Sequence, residues 1–161
     1  MFRFITVLGW DRDLSIEHEH IDGEHQQLVA LVNRVHQGIV QRAPDADISN
    51  HLAELRGYTE AHFAQEEDLM RVVGYPRYRW HARYHRVLIK MLADNEARVF
   101  KTEQADRFEF VEFLNGWLVD HIQTADTHFG RFLAKYDGRA WQGRILTRFR
   151  PSDESTGSSG G

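Results

Sequence analysis

The sequence has no cysteine and only three prolines. Lack of cysteine excludes a disulfide-stapled scaffold, a zinc ribbon and a thiol nucleophile, and it fits a reducing compartment, so a cytoplasmic location is expected. No apolar run approaches the roughly 18 residues of a membrane span, and the apolar stretch within Met1–Trp10 is too short for a secretion signal. A net charge of −4 offers no basis for expecting a nucleic-acid partner. Nor is there an internal repeat or a long low-complexity stretch within residues 1–136. What remains is a chain of 161 residues, 42% apolar and 27% charged, which is the composition of one globular domain with a core of its own. Histidine, present ten times, is the abundant exception. Imidazole is the commonest protein metal ligand and titrates nearest neutrality, so the placement of the histidines is the question.

Four segments carry the periodicity of an amphipathic helix. Ile21, His25, Leu28, Val32, Val35 and Ile39 step by fours and threes, as do Ile48, Leu52, Leu55, Thr59, His62, Glu66 and Leu69. His81, His85, Leu88, Leu92, Asn95 and Val99 form a third stripe, and Val111, Leu114, Leu118, His121, Ala125, His128 and Phe132 a fourth. Each stripe faces a common core. Ala43-Pro44-Asp45 separates the first helix from the second, which Asp47 or Ser49 can cap. Gly74-Tyr75-Pro76 and a polar stretch around residues 102–106 make the other breaks. Short links between long helices predict an all-α, antiparallel up-down-up-down four-helix bundle. Residues 1–16 are apolar without helical spacing and read as an N-terminal arm packed across it.

The chemistry lies in what interrupts the stripes. His25, His62, Glu66, His81, His85 and His121 occupy positions that face the core. Burying an unpartnered polar group costs about 1–3 kcal/mol, so six of them would consume most of a typical stability of roughly 5–15 kcal/mol. Hydrogen bonds within the set cannot balance it, because histidines outnumber acids and each imidazole N–H needs an acceptor. A metal satisfies several lone pairs at once. No single pair of residues is informative, since chance supplies about 0.6 His-x3-His pairs at this histidine content. A lone buried histidine is more often a hydrogen-bonded core residue than a ligand. The shared inward phase on four helices is what chance does not supply. His18, His20, His36 and His51 read as solvated, and His128 lies on the fourth stripe without an expected role.

These residues resemble the bacteriohemerythrins, the bacterial branch of the hemerythrin family. The resemblance covers about residues 10–133 and rests on Ile21-Asp22-x-x-His25, His62-Phe63-x-x-Glu66-Glu67-x-x-Met70, His81-x3-His85 and His121-x4-Asp126, with Trp10 ahead of the first helix. Glu24 departs from the family pattern, which more often has glutamine before the first histidine. The resemblance implies reversible O2 binding at a non-haem di-iron centre: two iron ions with an oxo or hydroxo bridge. His81, His85 and His121 would hold one iron, His25 and His62 the other, with Glu66 and Asp126 bridging. Two six-coordinate ions offer twelve positions. The five imidazoles, two bridging carboxylates and one bridging solvent oxygen fill eleven, which leaves one open on the iron with two histidines. Leu28, Phe63, Trp117, Leu118 and Ile122, within a turn of the ligands, are the expected walls of the O2 pocket, although ordinary core packing would place them inside as well. Asp126 sits five residues after His121, roughly 140° round an α-helix, so it either reaches sideways from the seam or requires a π-type turn.

The expected role is therefore O2 carriage, storage or delivery rather than catalysis, within a domain of residues 1–136. An alternative is an O2- or redox-sensing module. Residues 137–161 are basic and then Gly/Ser-rich, and Trp141, Ile145 and Phe149 step by four between arginines, a pattern that a protein partner could engage. A di-iron oxidase or peroxidase is the third reading. Such bundles use four carboxylates in two Glu-x-x-His motifs, whereas here only Glu17-x-x-His20 has that spacing, with its histidine off the stripe.

Overall fold

The computed structural model describes residues 7–101 and 104–136. The features expected of residues 1–6 and of the tail beyond Tyr136, including the Trp141/Ile145/Phe149 stripe, lie outside these. Helices α1 (Glu19–Val40), α2 (Asp45–Val73), α3 (Tyr78–Val99) and α4 (Gln104–His121) form an antiparallel four-helix bundle. Past His121 the fourth rod continues through a π-helical turn (Ile122–Asp126) into α5 (Thr127–Lys135). α1 packs on α2 and α4, and α3 on the same two, so the four rods close a square around one core. No helix among the described residues is long and apolar enough to cross a membrane.

Local chemistry sets the ends of the rods. Gly74 adopts φ +68°, the left-handed conformation that glycine takes without penalty, and Tyr75 N then donates to Met70 O at 2.9 Å to close α2. The start of α2 differs from the expectation. The helix begins at Asp45 with Pro44 as its cap, ahead of Asp47 and Ser49, because the fixed φ of proline already suits a first turn. Asp45 is held from α4 by Arg107, at 2.6 and 3.2 Å. α4 likewise starts inside the polar stretch, so Asp106 belongs to the helix and not to the link.

The first two stripes are buried throughout, and the half of the bundle around Val32, Val35, Leu52, Leu92 and Leu114 is purely apolar. On the third stripe Asn95 is only half-buried and donates to Met91 O. The fourth is right as far as Ala125 and then shifts. The π turn inserts an extra residue and so rotates everything after it by about 100°. His128 turns out to solvent and Phe132 to a half-buried position, while Phe129 and Leu133 take the core positions. Another correction concerns His36, expected in solvent but 3% exposed in α1, where burial pushes its pKa down. The arm crosses the bundle as expected over residues 7–16. Leu8 exchanges two backbone hydrogen bonds with the Asn33 amide, Asp22 accepts from Ser15 Oγ and Ile16 N, and Leu14 and Ile16 are buried.

Candidate metal centre

Residues from all four rods converge in the half of the bundle nearer the α2–α3 turn. α1 contributes His25, α2 His62 and Glu66, α3 His81 and His85, and the fourth rod His121 and Asp126; every one is at most 2% exposed. They form two overlapping groups. Glu66, His81, His85, His121 and Asp126 each place a donor atom within 4.8 Å of the others', and so do His25, His62, Glu66 and Asp126. The two carboxylates belong to both groups.

Asp126 reaches the interior because of the π turn. Thr127 N donates to Ile122 O, five residues back, and Thr127 Oγ1 donates to the same carbonyl at 2.9 Å. Of the two ways this aspartate could face inward, the backbone takes the wider turn. Its oxygens then divide between the groups. Oδ1 lies 3.0 Å from His121 Nε2 and 3.1 Å from His81 Nε2, while Oδ2 lies 3.1 Å from His25 Nε2. Glu66 Oε2 is 3.2 Å from His85 Nε2 and 3.5 Å from His81 Nε2.

These contacts are close, yet none satisfies the atoms involved. The Nε2 atoms of all five histidines and all four carboxylate oxygens of Glu66 and Asp126 are buried without a hydrogen-bond partner. Nine such atoms at about 1–3 kcal/mol each would exceed the stability of an ordinary domain. Cations at their focus remove that cost. Adjacent ligands on an octahedral ion, with bonds of about 2.1 Å at right angles, stand about 3 Å apart, which matches the observed N···O spacings. The donor set therefore fits transition-metal ions, with imidazole nitrogen and carboxylate oxygen as ligands.

The outer nitrogens carry a signal that the stripes do not. His62 Nδ1 lies 2.8 Å from Glu24 Oε2, and His85 Nδ1 lies 2.9 Å from Glu67 Oε1. A carboxylate accepting the second ring N–H fixes which nitrogen faces inward and strengthens it as a donor. Neither glutamate was singled out as a site residue from sequence. Each adjoins a core-facing ligand position, at His25 and at Glu66, and that adjacency was the available clue. Without a metal the charges within the cluster hold one another. Burial and Asp126 push the Glu66 carboxyl up, but hydrogen bonds from His81 and His85 outweigh them and hold it well below the usual range. Asp126, against the same burial, is held low by His121, His25 and His81. Burial would lower His81, but Asp126 and Glu66 raise it to about 9, and His25 moves up for the same reason. His121 is pushed down by burial.

The five expected pocket residues, Leu28, Phe63, Trp117, Leu118 and Ile122, are all buried. Phe63 stacks flat on His85 at 3.7 Å between ring centres and sets its face towards the edge of His121 at 5.2 Å. Trp117 turns its polar edge away and donates Nε1–H to Leu88 O at 3.1 Å. Of the remaining histidines, His18 caps α1 by accepting from Ile21 N, His20 is exposed, His51 is half-buried beside Gly38, and His128 is in solvent.

A four-helix bundle that gathers imidazoles and carboxylates from every rod around shared acids defines a class of cation-binding proteins. Comparison with known proteins specifies it further. The Hemerythrin HHE cation binding domain matches residues 17–133. The chain is 32% identical over 155 residues to a bacteriohemerythrin of Stenotrophomonas maltophilia, covering 90% of this chain and 99% of that one. It is also 32% identical to a bacteriohemerythrin of Pseudomonas aeruginosa over 122 residues, covering 76% and 78% of the two chains. With hemerythrin subunit 2 of Golfingia vulgaris it shares 32% identity over 117 residues, covering 73% and 85%. The chain belongs to the hemerythrin family.

Proposed function

We propose that this protein binds dioxygen reversibly at a pair of iron ions and acts in O2 carriage, storage or delivery. In this reading His81, His85 and His121 hold one ion, His25 and His62 the other, and Glu66 and Asp126 bridge both. The observation that carries it is the set of nine buried, unpartnered donor atoms, in which Asp126 turns one oxygen to each group of histidines. When bound, the irons supply the electrons that hold O2. Everything else is supplied by the chain. Glu24 and Glu67 orient His62 and His85. Phe63 lies against the rings of His85 and His121, and Leu28, Trp117, Leu118 and Ile122 complete an apolar surround that keeps water and charge away from a small neutral ligand.

With two histidines against three, the ion held by His25 and His62 keeps the vacant position, so the gas binds there. The buried, apolar walls suit a diatomic molecule and offer a larger substrate no polar handle, so binding rather than turnover is the activity. The functional unit is residues 1–136. Iron-loaded protein, reduced without air, is expected to hold two irons per chain, to gain a visible charge-transfer band on exposure to O2, and to lose it on deoxygenation. One iron per chain, or a band that does not reverse, overturns the reading.

A further inference from the structure

The two sides of the cluster differ in what stands between them and solvent. On the three-histidine side aromatic rings close in. Phe63 covers His85, Tyr84 lies 5.5 Å from His121, and Trp80 and Tyr75 stand against His81 at 6.2 and 6.4 Å between ring centres. On the other side a crevice of about 20 Å³, room for about one water, runs between α1 and α2. His18 and His20 stand at its mouth, Leu69 and Gln65 along it, and Glu24 and Glu66 deeper in.

The polar groups of this crevice form a graded series. The His20 side chain is 57% exposed, and its Nε2 lies 3.7 Å from Glu24 Oε1. The Glu24 side chain is 13% exposed, and its other oxygen is 2.8 Å from His62 Nδ1. Glu66, 2% exposed, lines the inner end with neither oxygen hydrogen-bonded. Imidazole, carboxylate and carboxylate thus follow one another from solvent to the cluster, each a group that binds divalent metals. Two of them, His20 and Glu24, belong neither to the seven central residues nor to the apolar pocket.

We propose that this crevice is the path by which divalent cations enter and leave the cluster. His20 takes the hydrated ion at the surface, Glu24 receives it next, and Glu66 delivers it to the inner histidines. The physical reason is dehydration. A small divalent cation sheds its waters reluctantly, and a passage one water wide cannot admit a full hydration shell. A donor at each stage replaces departing waters one or two at a time, so the ion is never bare in a low-dielectric interior. The aromatic side offers no such succession. The proposal rests on the reading that the seven buried residues hold the metal.

Loading kinetics of the full chain test it. Metal-free protein is mixed with Co2+ and uptake is followed by absorption. Release into excess chelator is measured separately, and affinity and stoichiometry are read by competition with a metal-binding dye. His20→Ala removes the outermost donor, and Gln65→Trp fills the crevice. Glu24 is left intact because it also orients His62. Both variants are expected to take up and release Co2+ about fivefold more slowly or beyond, with affinity and two ions per chain unchanged, since obstructing a path slows both directions alike. Unchanged rates in both variants overturn the proposal. So does weaker affinity with faster release, which makes these residues part of the holding rather than the passage. Faster loading in Trp80→Ala with no effect of His20→Ala places entry on the aromatic side and also overturns it. Failure of the site reading shows separately, as wild-type protein that does not bind two ions.

Discussion

Glu67 accepts from His85 while a fifth of its side chain stays in solvent, so it joins the buried cluster to the surface without being buried itself. Removing it leaves the ring N–H of His85 unpaired and its inner nitrogen a poorer donor. Glu67→Ala is expected to lower affinity for the three-histidine ion by about 10–100-fold, with the other ion little changed, as read by two-step metal titration. Leu118 tests the pocket at the same scale. It is 2% exposed, and Leu118→Ala opens a cavity beside His121 that admits water. Autoxidation of the oxygenated protein should then accelerate several-fold while iron content holds. An unchanged rate would remove Leu118 from the pocket wall. The histidine stripes were legible because a polar residue at a leucine position has no cheap explanation. Glu24 and Glu67 were not, since half-exposed glutamates on a helix look like any solvated face. His36 was misread for the opposite reason, its buried imidazole having no neighbour in the sequence to announce it.

At the scale of elements, the decisive unit is the fourth rod. The five-residue gap between His121 and Asp126 already conflicted with α-helical phase, and the π turn resolves it. That turn also fixes how the arm is received. With the phase advanced, Gly130 faces Ile16, and a Cβ built there would lie 2.7 Å from the Ile16 carbonyl oxygen and 2.8 Å from its Cβ. Both obstacles are at or next to backbone and neither can swing aside. Gly130→Ala is therefore expected to push the arm off α5 and to destabilise the protein by about 1–3 kcal/mol, measured by urea unfolding. Stability equal to or above wild type would show that the arm has slack. The shift from His128 and Phe132 to Phe129 and Leu133 could not be read from periodicity, because a period of 3.6 carried through the π turn assigns the wrong face.

The whole molecule couples fold, metal and pH. In the metal-free protein Glu66 and Asp126 have depressed pKa values and His121 is also lowered. Their contributions to stability are present at neutrality and are lost as pH falls through the ordinary histidine range and then the carboxylate range. His81, raised to about 9, and His25, also raised, act in the other direction. Their contributions are complete below their ordinary value of about 6.5 and are lost as pH rises through the folded-state values. Metal-free protein should thus be most stable near pH 6 to 7 and weaken on both sides, by denaturant unfolding across pH. Binding a metal displaces the proton on His81, so Co2+ affinity should climb by up to about tenfold per pH unit for each proton displaced, levelling off near pH 9. A pH-independent affinity would mean that the cluster is already deprotonated before loading.

The sequence by itself determined the rods, their inward stripes and the donor types on them, because helical periodicity and the cost of burying polar groups act within one segment at a time. It also left Asp126 a choice of two routes to the interior. Tertiary structure alone decided which route was taken, which oxygen turns to which group of histidines, which glutamates steady the outer nitrogens, and on which side solvent comes close. Those are distances between residues far apart in the chain, and only the packing of one helix against another sets them.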